Sequence, residues 1–135
     1  MATDFGLMRA LSGSADNTLR LWNLRAGRCT ATLEGHGDRV RAVAADFGSM
    51  RALSGSADRT LRLWDLREGR CTATLEGHGG SVTAVAADFG SMQALSGSHD
   101  RTLRLWDLRE GRCTATLEGH GGLVKAAAAA PLPVG

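Results

Sequence analysis

No apolar run in this 135-residue sequence approaches the ~18 residues that a membrane-spanning helix needs. No charge of one sign dominates either. Sixteen Lys and Arg against 14 Asp and Glu leave a net charge of +2, which gives no argument for a polyanionic partner. Met1-Ala2-Thr3-Asp4 has neither the basic start nor the apolar core of a signal peptide. The three cysteines, Cys29, Cys71 and Cys113, are neither paired nor clustered, which sets aside a disulfide framework and a zinc site with paired ligands. They are expected as buried free thiols in a reducing compartment, and the chain is expected in the cytoplasm. Proline is confined to Pro131 and Pro133. The remaining composition, 43% apolar and 22% charged, is that of one globular domain over residues 1–135.

What the sequence does have is repetition. The stretch from Gly35-His36 to Trp64-Asp65 holds apolar runs at residues 40–45 and 50–53, then Ser54-Gly55-Ser56-Ala57-Asp58, which reads as a polar turn. It returns 42 residues later, from Gly77-His78 to Trp106-Asp107, and 42 residues earlier as Trp22-Asn23. Self-similarity at a fixed period of this length marks a repeat architecture. Repeats are expected at 5–46, 47–88 and 89–130, with 131–135 as a tail. No segment is long enough for a helix, so the fold class is all-β. Four short strands form a repeat, which in the second copy are a (40–45), b (50–53), c (60–66) and d (71–75). Asp4-Phe5-Gly6 recurs at Asp46 and Asp88 and reads as a turn. The triplet holds magnesium in protein kinases, but three copies without a glycine-rich loop exclude that reading.

The Gly-His…Trp-Asp signature at this period resembles the WD-repeat β-propeller family, with four strands to each blade. The resemblance covers residues 4–130. It implies a buried, hydrogen-bonded set of His, Ser, Asp and Trp in each blade. In the second copy these are His36, Ser54, Asp58 and Trp64, and in the third His78, Ser96, Asp100 and Trp106. The first copy offers Ser12, Asp16 and Trp22, and His120 is in register to complete that set. The resemblance also implies a non-catalytic scaffold for protein–protein interaction, without cofactor or metal.

An up-and-down meander puts the b–c and d–a loops on one rim, so His36, Ser54 and Asp58 meet beside the Trp64 strand. Their chemistry is complementary: indole donates only, hydroxyl and imidazole do both, and carboxylate accepts. Ser, His and Asp are also the parts of a hydrolase triad. Here the set recurs with the repeat, carries a Trp donor and lacks Gly-x-Ser-x-Gly, so a structural strut is expected.

Function is then sought where the copies differ. Copies one and two differ at seven positions, four of them on or near this rim. The candidate docking positions are Ala15, Ala57 and His99; Asn17, Arg59 and Arg101; Arg39, Ser81 and Leu123; and Arg41, Thr83 and Lys125. Residues 39 and 41 are expected on one face of strand a. Drift at exposed sites is the competing reading. The opposite rim carries Arg25, Arg28, Arg67, Arg70, Arg109 and Arg112 with Glu68 and Glu110 between, and without interleaved aromatics it reads as solvated, not as a nucleic-acid surface.

The copies are expected to be cut out of phase. Strands b, c and d come from the start of the chain and an extra strand a from residues 119–130, making three blades' worth. Propellers need about 4–8 blades. A homo-oligomer is therefore expected, six blades from two chains or nine from three. A fragment of a longer array, or a purely structural or designed self-assembling unit, is the alternative.

Overall fold

The computed structural model describes residues 2–118. They form twelve strands and no helix, in order β1 (Ala2–Asp4), β2 (Arg9–Gly13), β3 (Leu19–Asn23), β4 (Arg28–Leu33), β5 (Val40–Asp46), β6 (Arg51–Ser56), β7 (Leu61–Asp65), β8 (Arg70–Leu75), β9 (Val82–Asp88), β10 (Gln93–Ser98), β11 (Thr102–Asp107) and β12 (Arg112–Glu118). Consecutive strands pair into three four-stranded antiparallel sheets, β1 to β4, β5 to β8 and β9 to β12. Each sheet is the four-stranded meander expected of a propeller blade. No helix long and apolar enough to cross a membrane occurs among the described residues.

The first blade departs from expectation, because it has a fourth strand. Ala2, Thr3 and Asp4 pair with Leu11, Ala10 and Arg9. That register is the one Ala44, Ala45 and Asp46 keep with Leu53, Ala52 and Arg51. Three residues of strand a therefore suffice to pair with the start of β2. The extra strand expected from residues 119–130 lies outside the described residues.

Strand b is longer than the composition suggests. Ser54, Gly55 and Ser56, read from sequence as part of a turn, belong to β6 and are fully or almost fully buried. The reason lies in the next blade. A Cβ on Gly55 would sit 2.5 Å from Val82 Cγ1, and one on Gly13 equally close to Val40 Cγ1. Glycine here makes room for the neighbouring strand rather than for a bend. Ser56 Oγ donates within 2.8 Å of the Arg39 carbonyl, which ties β6 to the loop before β5. The true turn is Ala57 to Thr60, with Arg59 at φ 74°.

Bulges break the ladders at repeating places. Pairing shifts between Leu63 and Trp64, where Trp64 faces Cys71 and Thr72 is the extra residue. It shifts again between Val40 and Ala42, leaving Arg41 as the extra residue. Arg39 precedes β5. The two arginines therefore do not share a face of a regular strand, because the bulge interrupts the alternation.

Blades meet through apolar joints. The first joins Leu11, Leu19, Leu21 and Leu33 to Val40, Phe47, Ala52, Trp64 and Leu66. The second joins Leu53, Leu61, Leu63 and Leu75 to Val82, Phe89, Ala94, Trp106 and Leu108. Every member of the second lies 42 residues after its counterpart in the first. Outer strands such as β8 alternate instead, with Arg70, Thr72 and Thr74 exposed and Leu75 buried. This is the pattern of a sheet packed on one face only.

Candidate functional site: buried tetrads and the variable rim

The β4–β5 loop carries His36 over the end of the second blade, where it meets three groups. Trp64 Nε1 donates to Ser54 Oγ at 2.8 Å. Ser54 Oγ lies 2.6 Å from His36 Nε2, and His36 Nδ1 lies 2.8 Å from Asp58 Oδ2. Gly37 N–H donates to the same carboxylate oxygen at 3.0 Å, and Thr60 Oγ1 donates to the other at 2.6 Å. A Cβ on Gly35 would approach Arg62 Nη1 to 2.8 Å and Trp64 Cη2 to 3.3 Å, so glycine lets the loop close over the indole. The third blade repeats this set with His78, Ser96, Asp100 and Trp106 at the same distances.

Proton bookkeeping assigns every role. Indole N–H can only donate, so Ser54 Oγ accepts from Trp64 and gives its own hydrogen to His36 Nε2. That nitrogen must be bare, which leaves the proton on Nδ1, donating to Asp58. The imidazole is neutral. Burial pushes the His36 pKa down, more than the hydrogen bond to Asp58 and its charge raise it, and Arg62 lowers it further. His78 is lowered in the same way. Burial also pushes the Asp58 carboxyl up, but hydrogen bonds from Thr60, His36 and Gly37 outweigh it and hold the group at about 2. Asp100 is lowered too, burial again being outweighed by its hydrogen bonds.

The order Asp–His–Ser is that of a hydrolase relay, but the surroundings differ. Ser54 and Ser96 have no exposed surface, and each hydroxyl is held between an indole and an imidazole. An acyl group has no path to either oxygen.

The first blade is a partial version. Trp22 Nε1 donates to Ser12 Oγ at 2.9 Å. Asp16 is exposed, accepts from Thr18 and lies 3.5 Å from Arg20 Nη2. Its pKa is lowered chiefly by the Thr18 hydroxyl. His120 lies outside the described residues, as do Leu123 and Lys125.

The rim itself is assembled by contacts between the loops. Ala57 N–H donates to the Arg39 carbonyl, and His99 N–H to the Ser81 carbonyl. Ala15, Arg39, Arg41, Arg59 and Arg101 are exposed, whereas Asn17, Ala57, Ser81, Thr83 and His99 are half-buried. Thr83 Oγ1 donates to the Gly97 carbonyl. Asn17, Arg59 and Arg101 share a left-handed backbone at φ 74°, 74° and 71°, a constraint that sequence reading missed. Asn tolerates that conformation better than Arg does. The cysteines are free and half-buried rather than buried, each thiol donating to the carbonyl two residues on. On the opposite rim, Arg9 and Arg51 reach Met50 and Met92 of the following blades.

Comparison with known proteins follows the same blocks. A family model described as "WD domain, G-beta repeat" matches residues 4–23, 27–65 and 69–107, well over half of the chain. Over 39 residues the chain is 51% identical to Mitochondrial division protein 1 of Neurospora crassa, a span covering 29% of this chain and 6% of that protein. The protein of the same name from Aspergillus terreus is 45% identical over 40 residues, 30% of this chain and 6% of its own length. The chain thus spans only about 6% of the length of these curated relatives.

Proposed function

We propose, from the premise that this chain belongs to the WD-repeat family, that it is a non-catalytic propeller module presenting one variable rim to a protein or peptide partner. WD repeats are a protein-interaction architecture, and a single observation favours this rim as the docking surface. The joints and the complete tetrads repeat residue for residue, whereas the rim sets exposed Arg39 and Arg41 in one blade against half-buried Ser81 and Thr83 in the next. The exposed guanidiniums of Arg39, Arg41, Arg59 and Arg101 suit a partner offering carboxylates or backbone carbonyls. No cofactor enters this reading, and engagement of both tetrad serines speaks against a nucleophile.

The remaining parts of the proposal are organisational. One domain spans residues 1–135, with repeats 5–46, 47–88 and 89–130. Copies of the chain close the ring, two chains giving six blades or three giving nine. The free thiols support a reducing compartment such as the cytoplasm. The match to Mitochondrial division protein 1 spans about one repeat, so we carry over the blade framework and not that protein's role. A purely self-assembling unit is the second reading, favoured by the identity of the two joints.

A photo-crosslinker near position 39 tests the choice. Specific partners should be captured and then lost on Arg39→Ala with Arg41→Ala, but retained on Arg67→Ala with Arg70→Ala. Equal capture by both pairs of variants would overturn the docking rim.

A further inference from the structure

Each internal joint has two halves. One blade gives four leucines, and the next gives an acceptor that includes Phe, Ala, Trp and Leu. The described residues leave one half of each kind without its mate. On the third blade the donor half is Leu95, Leu103, Leu105 and Leu117. On the first blade the acceptor half is Phe5, Ala10, Trp22 and Leu24.

Exposure separates these residues from their mated copies. Leu33 and Leu75 are each 1% exposed, whereas Leu117 is 50% exposed. Phe47 and Phe89 are 5% and 8% exposed, whereas Phe5 is 76% exposed. Trp64 and Trp106 are 1% exposed, and Trp22 is half-buried. An apolar face of this kind marks an interaction site.

We infer, resting on the ring closure proposed above, that the Leu95–Leu117 face of one chain docks on the Phe5–Trp22 face of a second copy. The argument is continuity with an interface already in the molecule. Apart from the valine that Val40 and Val82 supply in the internal joints, the halves carry the same residue types as those that mate twice within the chain, so they are complementary to each other and neither is complementary to itself. Association is head-to-tail, and rotation closes it into a ring. The intermolecular joint differs in a polar contact as well. Gln93 stands where Arg9 and Arg51 reach a methionine sulfur, so it lacks the guanidinium that bridges the internal joints.

The experiment uses the full chain, with Phe5→Glu on one face and Leu117→Glu on the other. Both side chains are exposed, so each variant should keep its β-sheet circular dichroism. In sedimentation the wild type should run at a multiple of 14.2 kDa and each variant as a single chain. An equimolar mixture of the variants should recover a two-chain particle, since one intact joint remains between them. Loss of assembly in only one variant would indicate self-to-self pairing and overturn the inference, as would a mixture that stays monomeric where the wild type is assembled. Variants that keep the wild-type mass would overturn this pairing of faces but leave ring closure standing. A wild type of 14.2 kDa would overturn both, and the crosslinking result at the rim is independent of either.

Discussion

Trp64 has one polar hydrogen to give and Ser54 has one, and the buried set is built from that economy. Removing the indole N–H leaves Ser54 Oγ short of a donor in a site with no exposed surface. Trp64→Phe is expected to cost about 1–3 kcal/mol in denaturant unfolding, the usual range for a buried group left unsatisfied. The histidines impose a pH dependence of definite sign. Their folded pKa values lie below the ordinary 6.5, so protonation favours the unfolded chain. Their contribution is complete above pH 6.5 and is lost as pH falls from there toward the lowered values. Asp58, at about 2 against an ordinary 3.8, adds a second loss as pH falls from 3.8 through about 2. Tm should therefore begin to drop below pH 6.5, and His36→Gln with His78→Gln should weaken the protein but flatten that upper phase.

Strand b shows how far the sequence could be read and where it stopped. The four-stranded repeat, its order and the loops bringing His36, Ser54 and Asp58 together follow from the 42-residue period and from up-and-down pairing, whereas the strand at Ala2–Asp4 was missed. The extent of β6 did not, because Ser-Gly-Ser has the composition of a turn and the reason for Gly55 is Val82 in another blade. Gly55→Ala forces a methyl group against that valine and should cost about 1–3 kcal/mol, as overpacking does. A thermal melt no lower than wild type would show that the joint can move aside. The left-handed backbone at Met50 and Arg59 was equally illegible, since neither residue type signals it. Arg59→Asn should leave the turn intact and raise stability by roughly 0.5–1 kcal/mol, because Asn is less penalised there. A loss of stability would mean that the arginine side chain makes a contribution larger than its backbone strain. At the rim, sequence variation located the positions, but the bulge at Arg41 decides how the side chains are presented.

The described residues form three blades whose internal joints are copies of one another and whose outer faces carry most of the two halves of that joint. The repeat fixes this shape, because moving any joint residue by 42 gives its counterpart in the next blade. Closure is the central claim at this scale, since a rim continuous from chain to chain requires a closed ring. The most direct test is native mass spectrometry of the 135-residue chain. The account predicts a single species at an integral multiple of 14.2 kDa, twice that mass for six blades, with no ladder of larger sizes. A species at 14.2 kDa across the working concentration range, or an open-ended ladder, would contradict it.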